Sequence, residues 1–194
     1  MKKTGWKYLL IGLALLTGLS RGTIMAEQKE KPVFDFSREQ QVKPWRAIND
    51  TVMGGVSSSS VGPSGQGTLR FSGTVSLENY GGFCSTSMRA NKPYDLSGCQ
   101  GLRLRVLGDG KRYKVTLKND ISFSGFVYQY TFATRKGEWM TVSAPFAGFV
   151  PTFRGQTRQD AAPIDPKNIM SFGFIISDKQ QGPFRLEVKW IRAF

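Results

Sequence analysis

The sequence predicts an all-β protein, an antiparallel β-sandwich of the jelly-roll type. Short apolar or alternating runs are separated by turn residues, no stretch has the pattern of a long amphipathic helix, and no segment repeats. With 194 residues, 40% of them hydrophobic, the chain is long enough to bury one sizeable core. We therefore expect a single domain of about ten short strands over residues 33–194.

The first 26 residues have the pattern of a bacterial secretory signal peptide. Lysines precede an apolar run over residues 9–19. A membrane span needs roughly 20 apolar residues, so this run is too short for an anchor, and we expect cleavage after Ala26. A charged linker over residues 27–32 follows. The pattern predicts an exported protein, periplasmic or secreted, whose mature part has no transmembrane span.

The chain is strongly basic. Its formal net charge is +13, and the part after the signal segment keeps 23 basic and 14 acidic residues. Such a charge favours polyanions without choosing among them. Export points away from nucleic acid and leaves an acidic glycan or anionic lipid as the accessible partners.

The predicted strands are spread over the whole domain. They cover residues 33–36, 69–77, 82–88, 126–134, 139–143, 169–177 and 184–191. Turn sequences such as Gly-Pro-Ser-Gly separate them. One strand carries an alternating aromatic ladder made of Phe126, Tyr128, Tyr130 and Phe132. Such a ladder fits either the core or a carbohydrate-binding platform.

A β-hairpin is predicted over residues 102–118. Asp109 and Gly110 separate two alternating runs, which is a strong signal for a two-residue turn. This turn sets Val106 opposite Tyr113 on the core side and gathers basic side chains on the other side. These basic residues are Arg103, Arg105, Lys114 and Lys118. Because like charges across a strand pair are unfavourable, this basic face predicts an anionic neighbour.

Cys84 and Cys99 are the two cysteines of the chain. One pair in an exported protein favours a disulfide, here closing a loop of about 15 residues and worth about 3 kcal/mol in the chain-entropy model. Two unbridged thiols packed in the core are the alternative.

The absence of histidine excludes several classes of site. Serine–histidine and cysteine–histidine nucleophiles and histidine-ligated metals are ruled out. We predict a protein that is not an enzyme and that uses no cofactor and no metal. A carboxylate-based glycoside hydrolase is the remaining catalytic alternative, through a pair among Asp50, Glu78, Asp109, Asp120, Asp178 and Glu187. Turn and cap roles are the simpler interpretation of these acids.

The candidate binding loop combines an apolar anchor with residues that bond or relax the backbone. Its members are Trp45, Asn49, Asp50, Thr51, Met53, Gly54, Gly55 and Ser57. No Gly-Lys-Ser/Thr follows, so a phosphate loop is a poor interpretation. The stretch is either a structural turn or a ligand-facing loop, with an oxygen-ligand cation site at Asn49 and Asp50 as one form of the latter. In the functional interpretation, exposed members such as Ser57 contact the partner.

This loop and other motifs resemble the complex I intermediate-associated protein 30 family. The most specific part is the run Asn-Asp-Thr-Val-Met-Gly-Gly-Val-Ser at residues 49–57. Further matching motifs lie at residues 71–73, 77–79, 81–83, 108–111 and 182–184. The resemblance implies a galactose-binding-like jelly roll and, from the mitochondrial members, a role in assembling respiratory complex I.

The sequence therefore predicts a non-catalytic binding or assembly module whose partner is a protein client or an acidic glycan. A carbohydrate-binding module is the first alternative, and the carboxylate-based hydrolase is the second. The mitochondrial members work in the matrix, whereas the export pattern predicts a partner outside the cytoplasm for this chain.

Overall fold

The computed structural model describes residues 30–122 and 125–194, together with Met1. The predicted signal peptide and the first part of the predicted linker lie outside the described residues. Within the described residues there are thirteen strands: β1 (Lys31–Asp35), β2 (Arg46–Asn49), β3 (Ser58–Pro63), β4 (Leu69–Val75), β5 (Cys84–Tyr94), β6 (Gly101–Leu107), β7 (Arg112–Lys118), β8 (Val127–Ala133), β9 (Trp139–Pro145), β10 (Val150–Phe153), β11 (Gln156–Thr157), β12 (Ile169–Ile176) and β13 (Gly182–Ala193). Short 3-10 turns are the helical elements of the described ranges.

The strands form two antiparallel sheets. The six-stranded sheet has the order β3-β4-β13-β6-β9, with β1 also paired to β13. The seven-stranded sheet has the order β11-β10-β8-β7-β12-β5-β2. The two sheets enclose one hydrophobic core, and the predicted all-β sandwich is confirmed.

Alternation of apolar residues along the strands explains how the core is filled. Leu102, Leu104 and Val106 of β6 point inward from one sheet, and Val115 and Leu117 of β7 point inward from the other. All five are buried in the same cluster. This is the pattern that the sequence predicted for a half-buried strand.

The predicted hairpin over residues 102–118 is wrong. β6 pairs with β13 and β9, whereas β7 pairs with β12 and β8 in the other sheet. The Asp109 carboxylate holds the connection between the sheets by accepting hydrogen bonds from Lys111 N–H at 3.0 Å, Tyr113 hydroxyl at 3.0 Å and Arg185 N–H at 2.9 Å. Two alternating strands look alike in sequence whether they lie side by side or face each other across a core.

The basic face predicted from that hairpin is therefore divided. Arg103 and Arg105 lie on the outer side of the six-stranded sheet, where Arg103 forms an ion pair with Glu30 at 2.6 Å. Lys114 and Lys118 lie on the outer side of the seven-stranded sheet. An ion pair at 2.7 Å joins Lys114 to Asp178. The four cations do not face each other, and an anionic neighbour is not required.

The aromatic ladder of β8 faces the core. Tyr128 and Phe132 are buried, and Phe126 and Tyr130 pack partly buried against the same cluster. The Tyr128 hydroxyl donates to the Ala162 carbonyl at 3.1 Å. These rings are core residues and do not form a platform for sugars.

No helix within the described ranges is both long and apolar enough to cross a membrane.

Candidate functional site

Two loops cross between the sheets side by side at one end of the sandwich. The first, residues 50–57, leads from β2 of the seven-stranded sheet to β3 of the six-stranded sheet. The second, residues 76–83, leads back from β4 to β5. We call these two segments the double loop. The first contains most of the predicted binding loop.

The Asp50 carboxylate joins the two halves of the double loop. Its Oδ2 accepts hydrogen bonds from the Ser57 hydroxyl at 2.6 Å, from Gly82 N–H at 2.7 Å and from Phe83 N–H at 3.3 Å. Its Oδ1 accepts one from Ser57 N–H at 3.0 Å. Only 1% of Asp50 is exposed. Hydrogen bonds to a charged group contribute about 1.5–3 kcal/mol each, so this group is a main determinant of the loop geometry.

Hydrogen bonding keeps the buried carboxylate ionised. Burial alone raises the pKa of Asp50, but the hydrogen bonds from Ser57, Gly82 and Phe83 outweigh it, and the pKa lies below its ordinary value. Within the described ranges, no lysine or arginine forms an ion pair with this group. Backbone and hydroxyl donors therefore take the place of a cation.

Two glycines make room for the carboxylate. A Cβ atom on Gly55 would lie 2.4 Å from Asp50 Cγ, and one on Gly81 would lie 2.6 Å from Asp50 Oδ2. Gly54 has a φ of 92°, a conformation that favours glycine. The Gly-Gly pair in the first half of the loop is explained by close approach and by backbone conformation.

Ser57 is a structural residue and not an exposed contact, contrary to our expectation. Its hydroxyl donates to Asp50 and accepts from Ser76 N–H at 2.9 Å, which links the start of β3 to the second loop. The residue is 1% exposed. A small hydroxyl with both donor and acceptor functions satisfies this buried position.

The other predicted loop residues differ in how deeply they are buried. Trp45 is buried in the core, with ring centroids of Phe34, Phe36 and Phe174 at 5.6–5.7 Å. Asn49 accepts a hydrogen bond from the Ser59 hydroxyl at 2.5 Å. In contrast, Thr51 and Met53 are exposed at the surface of the 3-10 turn that follows β2.

Four exposed apolar side chains are distributed over the two halves of the double loop. Met53 is 75% exposed, Val56 48% and Leu77 37%, and Tyr80 is fully exposed. Across residues 30–122 and 125–194, seven large hydrophobic side chains are exposed, and these four together with Ile48 at the end of β2 are five of them. We call Met53, Val56, Leu77 and Tyr80 the apolar surface.

Sequence reasoning missed the second half of this surface. Leu77 and Tyr80 are more than twenty residues away from Met53 along the chain, and hydrogen bonds of Asp50 and Ser57 bring the two segments together. The sequence nevertheless contained a signal for this surface. Large apolar residues in a loop that also contains glycines do not belong to the buried face of a strand, and they indicate an exposed apolar site.

The backbone of the second loop is held in an unusual conformation. Asn79 and Tyr80 have φ angles of 53° and 61°, in the left-handed region that non-glycine residues seldom adopt. For a bulky residue such as Tyr80 this conformation is costly and persists only where the surroundings impose it. In this conformation the Tyr80 ring is exposed to solvent and is not packed into the core.

The predicted bridge between Cys84 and Cys99 is not formed, and both residues are free thiols. Cys84 begins β5, and Cys99 lies in the turn after that strand of 11 residues. At a rise of about 3.3 Å per residue, the ends of β5 are about 30 Å apart, far beyond the 7 Å that a disulfide spans between Cα atoms. Burial, together with the nearby Asp50 carboxylate, raises the pKa of Cys84 to about 11.

The site has no arrangement for a metal. No group of three or more histidine, cysteine, aspartate or glutamate side chains comes together in the ranges that the structure describes. The Asp50 carboxylate is surrounded by hydrogen-bond donors, and the side-chain amide oxygen of Asn49 accepts from the Ser59 hydroxyl. Neither oxygen set is arranged for a cation.

Five of the six acids considered for a hydrolase are engaged separately. Asp120 accepts from Ser122, Asp178 pairs with Lys114, and Glu187 is buried against Arg70 and Thr68. Asp50 and Asp109 likewise have partners of their own, as expected for turn acids.

Comparisons with known proteins identify relatives of the whole domain. Residues 34–188 match the family model described as Complex I intermediate-associated protein 30. The mouse protein "Complex I intermediate-associated protein 30, mitochondrial" is 29% identical over 187 residues, which cover 86% of this chain and 57% of the mouse protein. The Drosophila melanogaster protein of the same name is 28% identical over 182 residues, with coverage of 82% and 61%. The chain thus spans 57–61% of the length of these relatives.

Solved structures share the fold. The family 11 carbohydrate-binding module of the cellulase Lic26A-Cel5E of Clostridium thermocellum superposes with a TM-score of 0.64 at 19% identity, covering 86% of this chain and 94% of the module. The agarase AgWH50C matches with a TM-score of 0.57 at 14% identity, over 86% of this chain and 24% of the agarase. At these identities the likeness establishes the galactose-binding-like jelly roll alone.

The predicted exported location is wrong. The relatives in mouse, Drosophila melanogaster, Caenorhabditis elegans and Neurospora crassa are named as mitochondrial proteins, which contradicts a periplasmic or secreted bacterial protein. A basic N-terminal segment without acids is shared by secretory signals and mitochondrial transit peptides, so this feature did not discriminate between them. Without export, the arguments for a disulfide and against nucleic acid lose their premise.

Proposed function

We propose that this chain, which belongs to the complex I intermediate-associated protein 30 family, is a non-catalytic assembly module that binds a protein client through the apolar surface of its double loop. One observation carries this proposal. Met53, Val56, Leu77 and Tyr80 are exposed on two adjacent loops that hydrogen bonds of the buried Asp50 and Ser57 hold together.

Exposed apolar clusters of this kind favour protein partners. Burying a large apolar side chain contributes about 1.5–3 kcal/mol, so two or three residues supply much of the energy of a typical interface. Methionine and tyrosine are enriched at the centres of interfaces. Several such side chains exposed on two adjacent loops are typical of a surface that a partner covers.

The Asp50 network lowers the cost of binding. A loop that orders on binding loses conformational entropy, whereas a loop fixed beforehand does not. Asp50, Ser57 and Gly82 fix the double loop through hydrogen bonds within the free chain. The apolar surface is therefore presented ready to bind.

The names of the relatives suggest what the client is. The mouse and Drosophila melanogaster proteins are named for an association with a complex I intermediate. We therefore propose that the client is a subunit or assembly intermediate of respiratory complex I. Because the chain spans only 57–61% of those relatives, their full role is proposed for this chain and not transferred to it.

Site-specific photo-crosslinking tests this function. A photoreactive amino acid placed at Met53 or Tyr80 is expected to form adducts with complex I subunits in the organism that makes the chain. Val150 and Ile121 are matched controls, because both are exposed apolar residues away from the double loop. Absence of adducts at Met53 and Tyr80, or equal adducts at Val150, would overturn the proposal.

Carbohydrate binding is the weaker candidate at the level of residues. The aromatic ladder that suggested it is part of the core, and the fold is shared by proteins with many functions. The hydrolase has still less support, because Asp120, Asp178 and Glu187 are engaged in separate hydrogen bonds and ion pairs.

A further inference from the structure

We propose that the open edge of β5 binds an extended acidic segment of the protein client as an added β-strand. This inference names a second surface, beside the double loop, and rests on the proposed function in taking the occupant to be part of a protein.

The edge of the seven-stranded sheet is only half covered. β2 pairs with residues 84–87 of β5 and begins at Arg46. Beyond Ser87, β5 pairs with β12 on one side only, at Met88, Arg89 and Tyr94, and residues 90–93 form a bulge between these pairs. Alternate residues of a strand direct their N–H and C=O groups to opposite edges, so the uncovered part offers main-chain donors and acceptors.

Two adjoining grooves follow this edge. One is lined by Pro44, Met88, Arg89, Ala90, Lys92 and Tyr94, among others, and has a volume of about 490 Å³. The other is lined by residues of β2 and the paired part of β5, including Arg46 and Ile48. Pro44 and Arg89 line both, so the grooves are continuous. A volume of several hundred Å³ is typical of binding clefts.

The charge of the groove is positive and unpaired. Arg46, Arg89 and Lys92 have no carboxylate within ion-pair distance among the described residues, whose eight ion pairs involve other cations. The Arg46 guanidinium donates to the backbone carbonyls of Lys43 and Trp45. Complementarity therefore favours an acidic occupant.

Continuity with the double loop favours a peptide over a polysaccharide. Ile48 lines the groove and is exposed at the end of β2, next to Asp50. The groove therefore ends at an exposed apolar residue two positions before the double loop. An open strand edge also supplies main-chain hydrogen bonds that only another backbone matches in register.

Pro93 limits the register of the added strand. Proline has no N–H to donate and residues 90–93 are bulged, so pairing is expected at Met88 and Arg89, where β5 is regular, and is expected to end before Pro93. Lysine and proline also protect sheet edges against random pairing, which is the competing explanation for their presence here.

Peptide binding to the purified full chain tests the inference. A fluorescein-labelled octapeptide of alternating glutamate and valine is compared, by anisotropy, with the same peptide carrying glutamine. We expect the glutamate peptide to bind about tenfold more tightly, and Arg89→Glu with Lys92→Glu to weaken it about tenfold. The control pair Lys179→Glu with Lys189→Glu makes the same charge change at exposed residues elsewhere and is expected to have a much smaller effect.

An N-methylated peptide separates strand addition from charge alone. Methylation of alternate amides removes main-chain donors and is expected to weaken binding about tenfold. Binding that is unaffected by methylation, or an acidic polysaccharide that binds with the same dependence on Arg89 and Lys92, would overturn the inference in favour of a polyanion groove. Absence of peptide binding would also overturn the inference, because protection of the sheet edge would then explain Lys92 and Pro93.

The two proposals fail separately. Loss of peptide binding leaves the cross-links expected from Met53 and Tyr80 untouched. Absence of those cross-links with intact peptide binding overturns the proposed function alone.

Discussion

Asp50 accepts hydrogen bonds from segments up to 33 residues apart along the chain. Replacing Asp50 by asparagine keeps the shape but turns part of the acceptor into a donor that faces Ser57 and Gly82. We expect a loss of about 2–4 kcal/mol in the free energy of unfolding, measured by urea denaturation. Asp160→Asn changes an exposed acid and serves as the control. An equal loss in both variants would contradict the role assigned to Asp50.

Acid denaturation offers a second test of this carboxylate. The pKa of Asp50 is lower in the folded chain, so its stabilisation is present above the unfolded pKa, about 3.9, and is lost as the pH falls through the folded pKa. The difference in unfolding free energy between wild type and Asp50→Asn should be constant above about pH 5 and narrow below about pH 4. A difference that persists unchanged into acid would show that ionisation of Asp50 is irrelevant.

The thiols should differ in reactivity. Burial raises the pKa of Cys84 to about 11, so little thiolate is present at pH 8. In the folded chain we expect Cys84 to resist iodoacetamide, and after unfolding without reductant both Cys84 and Cys99 should be alkylated. Mass spectrometry of tryptic peptides measures both states. A disulfide-linked peptide would contradict the structure.

At the residue scale, the sequence predicted part of the site. The density of backbone-bonding residues at 49–57 indicated a loop with one fixed shape, and the structure places Asp50, Gly54, Gly55 and Ser57 together there. The burial of Ser57 could not be predicted from the sequence. Its burial depends on Ser76, and a contact between distant segments leaves no local pattern.

At the scale of elements, the connection from β6 to β7 is the clearest difference from expectation. Asp109 and Gly110 have the composition of a tight hairpin turn, yet they carry the chain from one sheet to the other. Local turn chemistry indicates that a chain reverses but does not indicate which strands pair afterwards. Strands β2, β3, β10 and β11 were also missed, because their short sequences lack clear apolar alternation.

A double-mutant cycle tests this connection. A Cβ atom at Gly108 would lie 2.4 Å from Thr134 Cβ, so Gly108→Ala should cost about 1–3 kcal/mol. Thr134→Gly removes the obstacle, and the two changes together should cost less than the sum of the single ones. Strict additivity in urea denaturation would contradict the contact between Gly108 and Thr134.

At the scale of the whole molecule, the fold was predictable because its determinants repeat along the chain. Alternation in most of the strands, frequent turn residues and the absence of helical periodicity all indicate a sandwich. Location was not predictable in the same way, since it depended on one N-terminal segment. Net charge of the whole chain also failed to identify a surface, because the cations are distributed over both sheets.

The central claim is that the apolar surface binds the client while Asp50 maintains the fold of the loops. Recovery of complex I subunits with a tagged chain tests it most directly, when Met53→Ser with Tyr80→Ser is compared with the control Val150→Ser with Ile121→Ser. Both pairs exchange exposed apolar residues for polar ones. The account predicts that the first pair loses the client at an unchanged melting temperature, while the control retains it. Full recovery with the first pair, or a loss that follows a lower melting temperature, would contradict the account.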